Sequence, residues 1–149
     1  FLSSLLSHLM ALGLVIAAAI VWLGYVSPMF VFLPVYMALI GLFAVGVGWI
    51  VSSLQVYIRD TAQIVVVVLT LWFWMTPIFI TIDQVPPQFQ FLMRVNPLAY
   101  MVRAYRDRLL SYRFPSIDEL TVMGVYAVAA FVIGGLFFRH LKRGFADVL

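Results

Sequence analysis

The sequence contains no cysteine. That excludes a disulfide framework, a thiol nucleophile and any cysteine-ligated metal site. Charge is scarce as well. Asp, Glu, Lys and Arg make up 10% of the residues, against about 25% in soluble domains. The phosphate loop GxxxxGKS or GxxxxGKT is missing, so this sequence cannot hydrolyse ATP by that route. The only histidines are His8 and His140, at the ends of different apolar stretches. They leave no cluster suited to a membrane-embedded enzyme, so no catalytic or metal-binding residue is expected. The formal net charge of +3 is small, fits the basic excess of membrane-protein loops, and gives no ground for nucleic-acid binding.

What the sequence has instead is hydrocarbon: 65% hydrophobic residues and a mean hydropathy of +1.11. A bilayer core of about 30 Å needs about 20 apolar residues as helix. Four stretches meet that length, at about 9–26, 29–54, 61–80 and 120–138, and none contains Asp, Glu, Lys or Arg. A charge at mid-membrane costs about 2.5–3.5 kcal/mol on insertion scales. The expected fold is therefore all-α, a polytopic membrane helical bundle of four transmembrane helices. An ion-coupled secondary transporter usually carries ionisable residues inside its spans, so that class is disfavoured.

The connections differ greatly in length. Ser27-Pro28 makes a tight hairpin between the first two stretches, with Pro28 and Pro34 at or near the start of the second helix. The segment between the last two stretches is long and holds two short amphipathic patterns. One covers about 87–95 and opens on Pro86-Pro87; the other covers about 97–113 and opens on Asn96-Pro97. Asn followed by Pro is a capping side chain ahead of a first-turn proline. In the second pattern Leu98, Met101, Val102, Tyr105, Leu109 and Tyr112 recur at helical spacing. Arg103, Arg106, Asp107 and Arg113 fall opposite them, and Arg108 flanks the apolar face. Both helices are expected to lie on, or dip into, one face of the membrane, where the arginines meet lipid phosphates or a substrate.

Small residues four apart, Gly13 with Ala17 and Ala44 with Gly48, mark expected sites of close helix approach. Near the end of the third stretch stand Trp72, Phe73 and Trp74. Aromatic rings there serve either as an interfacial belt or as flat supports for a substrate. Trp72 and Trp74 point about 200° apart on a helix, so at most one faces a channel well. Tyr100 is a weaker support. Orientation is nearly tied: Arg94, Arg103, Arg106, Arg108 and Arg113 on the long connection stand against Arg59, Arg139, Lys142 and Arg143 on the other side. Taken alone, the positive-inside rule slightly favours a cytoplasmic long connection.

Three segments together carry a family resemblance: SSLQVYIRDTAQIV at 52–65, VNPLAYMVRAYRDRLL at 95–110 and RHLKRGFADVL at 139–149. In order and spacing the sequence resembles the permease subunits of ABC-type polysaccharide exporters, which move lipid-linked O-antigen, capsule or teichoic-acid polymers. The resemblance implies a six-span permease of which this is the C-terminal portion, an expectation in keeping with a sequence that opens at Phe1; the N-terminal spans would precede it. It places Tyr57, Arg59 and Asp60 at a cytoplasmic gate or facing the ATPase, and the tail 139–149 in the cytoplasm. It puts the long connection outside, against the charge count, with Asn96, Pro97, Arg103, Arg106 and Arg108 on an outer-face gate helix. It puts Trp72, Phe73, Trp74 and Tyr100 near the substrate path. The implied partners are a second permease copy, two ATPase subunits that bind the ATP and Mg, membrane lipid and a lipid-linked polysaccharide. No cofactor is expected on this chain. The implied location is the bacterial inner or plasma membrane. A membrane scaffold without transport activity, or an ABC-type permease for a drug or lipid, also fits the composition.

Overall fold

A computed structural model of the chain describes residues 2–24, 27–76, 78, 85–110 and 114–147. Regular structure among the described residues is entirely helical: α1 (Leu2–Leu23), a 3-10 helix (Pro28–Phe32), α2 (Leu33–Tyr57), α3 (Thr61–Trp74), α4 (Pro87–Val95), α5 (Pro97–Leu110), α6 (Ile117–Leu141) and a closing 3-10 helix (Lys142–Asp147). The chain is an all-α membrane bundle. Stretches Ser3–Trp22, Pro28–Tyr57 and Ile117–Gly144 are long and apolar enough to cross a bilayer.

The helix ends follow local chemistry. Gly24 closes α1 with φ +73°, a left-handed conformation that glycine adopts without strain. The Ser27 hydroxyl accepts from the Met29 N–H at 3.3 Å and starts the 3-10 helix. The Ser116 hydroxyl accepts from the Glu119 N–H at 3.2 Å and starts α6. Asp118 and Glu119 in the first turn of α6, with Arg139 and His140 in its last, match the helix dipole.

The spine of the bundle is the pair α2–α6. Tyr36 clusters with Met123, Gly46 meets Ala130 and Phe131, and the Tyr57 hydroxyl donates to the Leu141 carbonyl at 2.9 Å. Positions advance together along both helices, so α2 and α6 run parallel. At mid-height the backbones touch. A Cβ on Gly46 would come within 2.5 Å of the Phe131 nitrogen, and one on Gly134 within 2.7 Å of the Gly46 carbonyl carbon. Trp49 closes the contact by packing on Phe131 with ring centroids 4.8 Å apart. The expected small-residue pairs lie elsewhere: a Cβ on Gly13 or Gly48 would meet nothing within 4 Å. The operative spacing is Ala130 with Gly134 on α6, received by Gly46 on α2.

α3 returns antiparallel to α2, since Trp72 lies edge-on to Phe43 at 6.3 Å. It is shorter than the expected 61–80. Its 14 residues make about 21 Å of helix at ~1.5 Å per residue. The helix stops near the level of Phe43, ten residues into α2, or about 15 Å below that helix's first turn. Pro77 accounts for the stop, because the residue ahead of a proline is pushed out of the helical region. The remaining height is occupied by α4 and α5.

Candidate functional site

The break between α4 and α5 is inserted among the long helices. The Tyr126 hydroxyl, nine residues into α6, donates to the Val95 carbonyl at 2.8 Å, so this break lies well below the start of α6. Asn96, 7% exposed, is the hub. Its Oδ1 accepts from the Trp72 Nε1–H at 2.8 Å and from the Leu98 N–H at 3.0 Å, the second bond capping α5. Its Nδ2 donates to the Thr76 hydroxyl at 3.1 Å and, at 3.4 Å, to the Met75 carbonyl. The Thr76 hydroxyl in turn donates to the Trp72 carbonyl at 2.8 Å. Arg106 donates to the carbonyl of Ile78.

These bonds share one physical purpose. Where a helix unwinds at membrane depth, its carbonyls lose their partners, and lipid offers none. Asn96 and Arg106 supply donors to the backbone that follows α3.

α5 is packed on most sides. Ala99, Met101 and Ala104 are buried, and Tyr36, Met101, Ala104 and Met123 form one core cluster with Leu98, Tyr100 and Tyr105 around it. Of residues 97–107 only Arg103 is exposed. The burial of Ala99 and Ala104 was not legible from the apolar stripe alone. Small residues there let α5 approach α2 and α6 closely.

Each remaining candidate has a definite place. Trp74 is 76% exposed, whereas Trp72 turns inward to Asn96. Phe73 meets the Trp74 ring edge-on at 6.0 Å. Tyr100 carries the Arg103 guanidinium over its ring at 5.8 Å. The Arg108 side chain lies outside the described residues, as do residues 111–113 of the expected second amphipathic helix. Tyr57, Arg59 and Asp60 are exposed at the opposite end of α2. The Arg59 carbonyl accepts from the Gln55 side chain at 3.1 Å. A Cβ on Gly144 would lie 2.6 Å from the Tyr57 oxygen, so Tyr57 holds the closing 3-10 helix tightly against α2. The structure thus joins Trp72, Asn96 and Arg106 in one network and keeps the Tyr57 group apart.

A further polar contact joins α1 to α5: the His8 Nε2 lies 3.0 Å from the Tyr105 hydroxyl, with the rings edge to face at 5.6 Å. An apolar-bounded cavity of about 270 Å³ between α1 and α2, lined in part by Leu5, His8, Ile40 and Tyr105, lies beside them. An imidazole among apolar side chains needs a hydrogen-bond partner, and Tyr105 provides it. Burial pushes the Tyr105 phenol up to about 12, so it stays protonated at physiological pH. Among the described residues no group of three His, Asp or Glu side chains is placed to hold a metal ion.

The fold is an all-helical membrane bundle in which α5 packs against α2 and α6. The chain belongs to the ABC-2 type transporter family, whose pattern it matches over residues 1–110, from α1 to the end of α5. Among curated proteins it is similar to two O-antigen export system permease proteins, RfbA, of Klebsiella pneumoniae. One is 30% identical over 108 residues, covering 72% of this chain and 41% of the relative. The other is 31% identical over 112 residues, with the same coverage of each. An RfbA permease of Myxococcus xanthus is 23% identical over 119 residues, covering 78% of this chain and 46% of the relative. The chain thus spans less than half the length of the relatives it matches.

Proposed function

We propose that this chain is part of the permease of an ATP-driven exporter that moves lipid-linked polysaccharide across the bacterial inner or plasma membrane. The observation that carries this reading is the similarity to O-antigen export permeases over 72% of the chain, beside a family pattern that runs over residues 1–110 and so takes in Asn96. ATP and Mg are bound by two partner ATPase subunits, and a second permease copy completes the channel. Tyr57, Arg59 and Asp60 face the cytoplasm, with Tyr57 setting the angle of the closing 3-10 helix against the ATPase side. The α4–α5 hairpin lies at the outer side, and the exposed Trp74 and Phe73 give a moving glycan flat, orientation-tolerant supports. Trp72 has a different part, since its N–H is bonded to Asn96. It anchors the hairpin.

The test is genetic. Deleting the gene in its native host is expected to abolish the surface polysaccharide and to leave lipid-linked polymer inside the cell. Surface polysaccharide of normal amount and length in the deletion strain contradicts the proposal and favours a scaffold or a permease for another substrate.

A further inference from the structure

α1 and α2 leave open space between them. A groove of about 430 Å³ is lined by Leu5, Met37, Ala38, Gly41, Leu42 and Val45. The cavity of about 270 Å³ beside His8 adjoins it, since Leu5, Met37 and Gly41 wall both. Spaces of this size exceed the voids of a packed interior. Their α2 wall stands in the middle of the Pro28–Tyr57 span, where a bilayer offers only hydrocarbon. Into these apolar surroundings the smaller cavity brings three polar side chains, Ser4, His8 and Tyr105. His8 and Tyr105 bond each other and have no further hydrogen-bond partner among the described residues. The pair therefore keeps a spare donor in either tautomer. If the phenol donates to Nε2, the imidazole proton sits on Nδ1 and is unused. If Nε2–H donates, the phenol proton is unused. Arg108, three residues further along α5, carries donors alone and cannot satisfy it. A donor without an acceptor is costly in hydrocarbon.

We propose that this cavity binds a lipophile drawn from the bilayer core, with a hydrocarbon body that fills the groove and one oxygen that accepts a hydrogen bond from the His8–Tyr105 pair. An apolar pocket with a few convergent polar groups is the usual form of a small-molecule site. A ketone, ester or hydroxyl oxygen meets the requirement, and a plain hydrocarbon does not. A diacyl phospholipid fits poorly, because its ester oxygens lie at the edge of the hydrocarbon core and this cavity stands in the middle of the α2 span. The site lies apart from the Asn96 network and does not depend on what the permease exports.

The experiment uses the full-length permease in lipid nanodiscs, with a diazirine-bearing dihexyl ketone as photoaffinity probe. Labelling is expected on the peptides that carry Ser4–His8 and Met37–Val45. Unlabelled dihexyl ketone should compete about three- to tenfold better than tridecane, its oxygen-free counterpart, the range of one net hydrogen bond. His8→Leu with Tyr105→Phe removes the donors and should bring the two competitors level, with tridecane unchanged as evidence that the cavity persists. Gly41→Leu puts a side chain into both spaces and should abolish the labelling. Gly13→Ala, which adds a methyl to open space, should label like the parent. Tridecane equal to the ketone in the parent, labelling that survives Gly41→Leu, or no labelling of these peptides because another helix or a retained phospholipid covers them, overturns the site.

Discussion

Asn96 joins three elements through one side chain, and its loss should be felt at each. Asn96→Ala removes the α5 cap, worth about 1 kcal/mol. It also leaves the Trp72 N–H without its partner, at about 1–3 kcal/mol for a buried unsatisfied group. The expected outcome is a drop of a few kcal/mol in resistance to unfolding in mild detergent. Asn96→Asp keeps the acceptor for Trp72 and Leu98 and should lose less. Equal losses in the two variants would remove the hub from the account. Tyr105 makes a second residue-scale statement. Its phenol titrates at about 12 when folded, against 10.0 as the ordinary value. The folded value is the higher, so this group leaves stability independent of pH below about 10. Above that it lowers stability progressively as pH approaches 12. Difference ultraviolet titration of the parent against Tyr105→Phe isolates the late phenolate. A phenolate appearing near pH 10 would contradict the burial.

Close approach of α2 and α6 is the feature most open to test among the elements. Gly134→Ala drives a methyl into the Gly46 backbone. Overpacking of this kind costs about 1–3 kcal/mol or displaces the helices. Gly13→Ala and Gly48→Ala add a methyl to open space and should be near neutral. Thermal unfolding of the three variants in detergent should separate the first from the others.

The same contrast shows what the sequence made legible. Long charge-free stretches announced the apolar helices, and Asn96-Pro97 announced the break at α5, because length, charge and capping are local properties. Which glycines touch depends on how helices rotate against one another, so Gly13 and Ala44–Gly48 drew attention while Gly46 and Gly134 did the packing. The shortened α3 belongs with them. Pro77 was a readable stop signal, but the donors that let an unwound backbone stay at that depth come from Asn96 and Arg106, some twenty to thirty residues further on. Arginines grouped by charge also proved to differ: Arg106 bonds inside the bundle, and Arg103 stands exposed over Tyr100.

For the whole molecule, the geometry separates a channel-facing end from a coupling end on the proposed reading. The Asn96 network lies some ten residues into α2 and α6, and Tyr57 with the closing 3-10 helix lies where they finish. The proposed orientation, with the Tyr57 end in the cytoplasm, is open to a direct test. A cysteine at Ser116, exposed at the start of α6, should react with a membrane-impermeant thiol reagent applied to intact cells. Reaction only after lysis would invert the topology.

Transport itself is the central claim, and reconstitution tests it most directly. The full-length permease and its ATPase would be placed in liposomes, with lipid-linked polysaccharide supplied on the ATPase side. The account predicts that the polymer reaches the opposite side when ATP and Mg are present, and stays where it was added when they are withheld. Polymer that fails to cross with both subunits active in ATP hydrolysis, or that crosses equally without ATP, would contradict it.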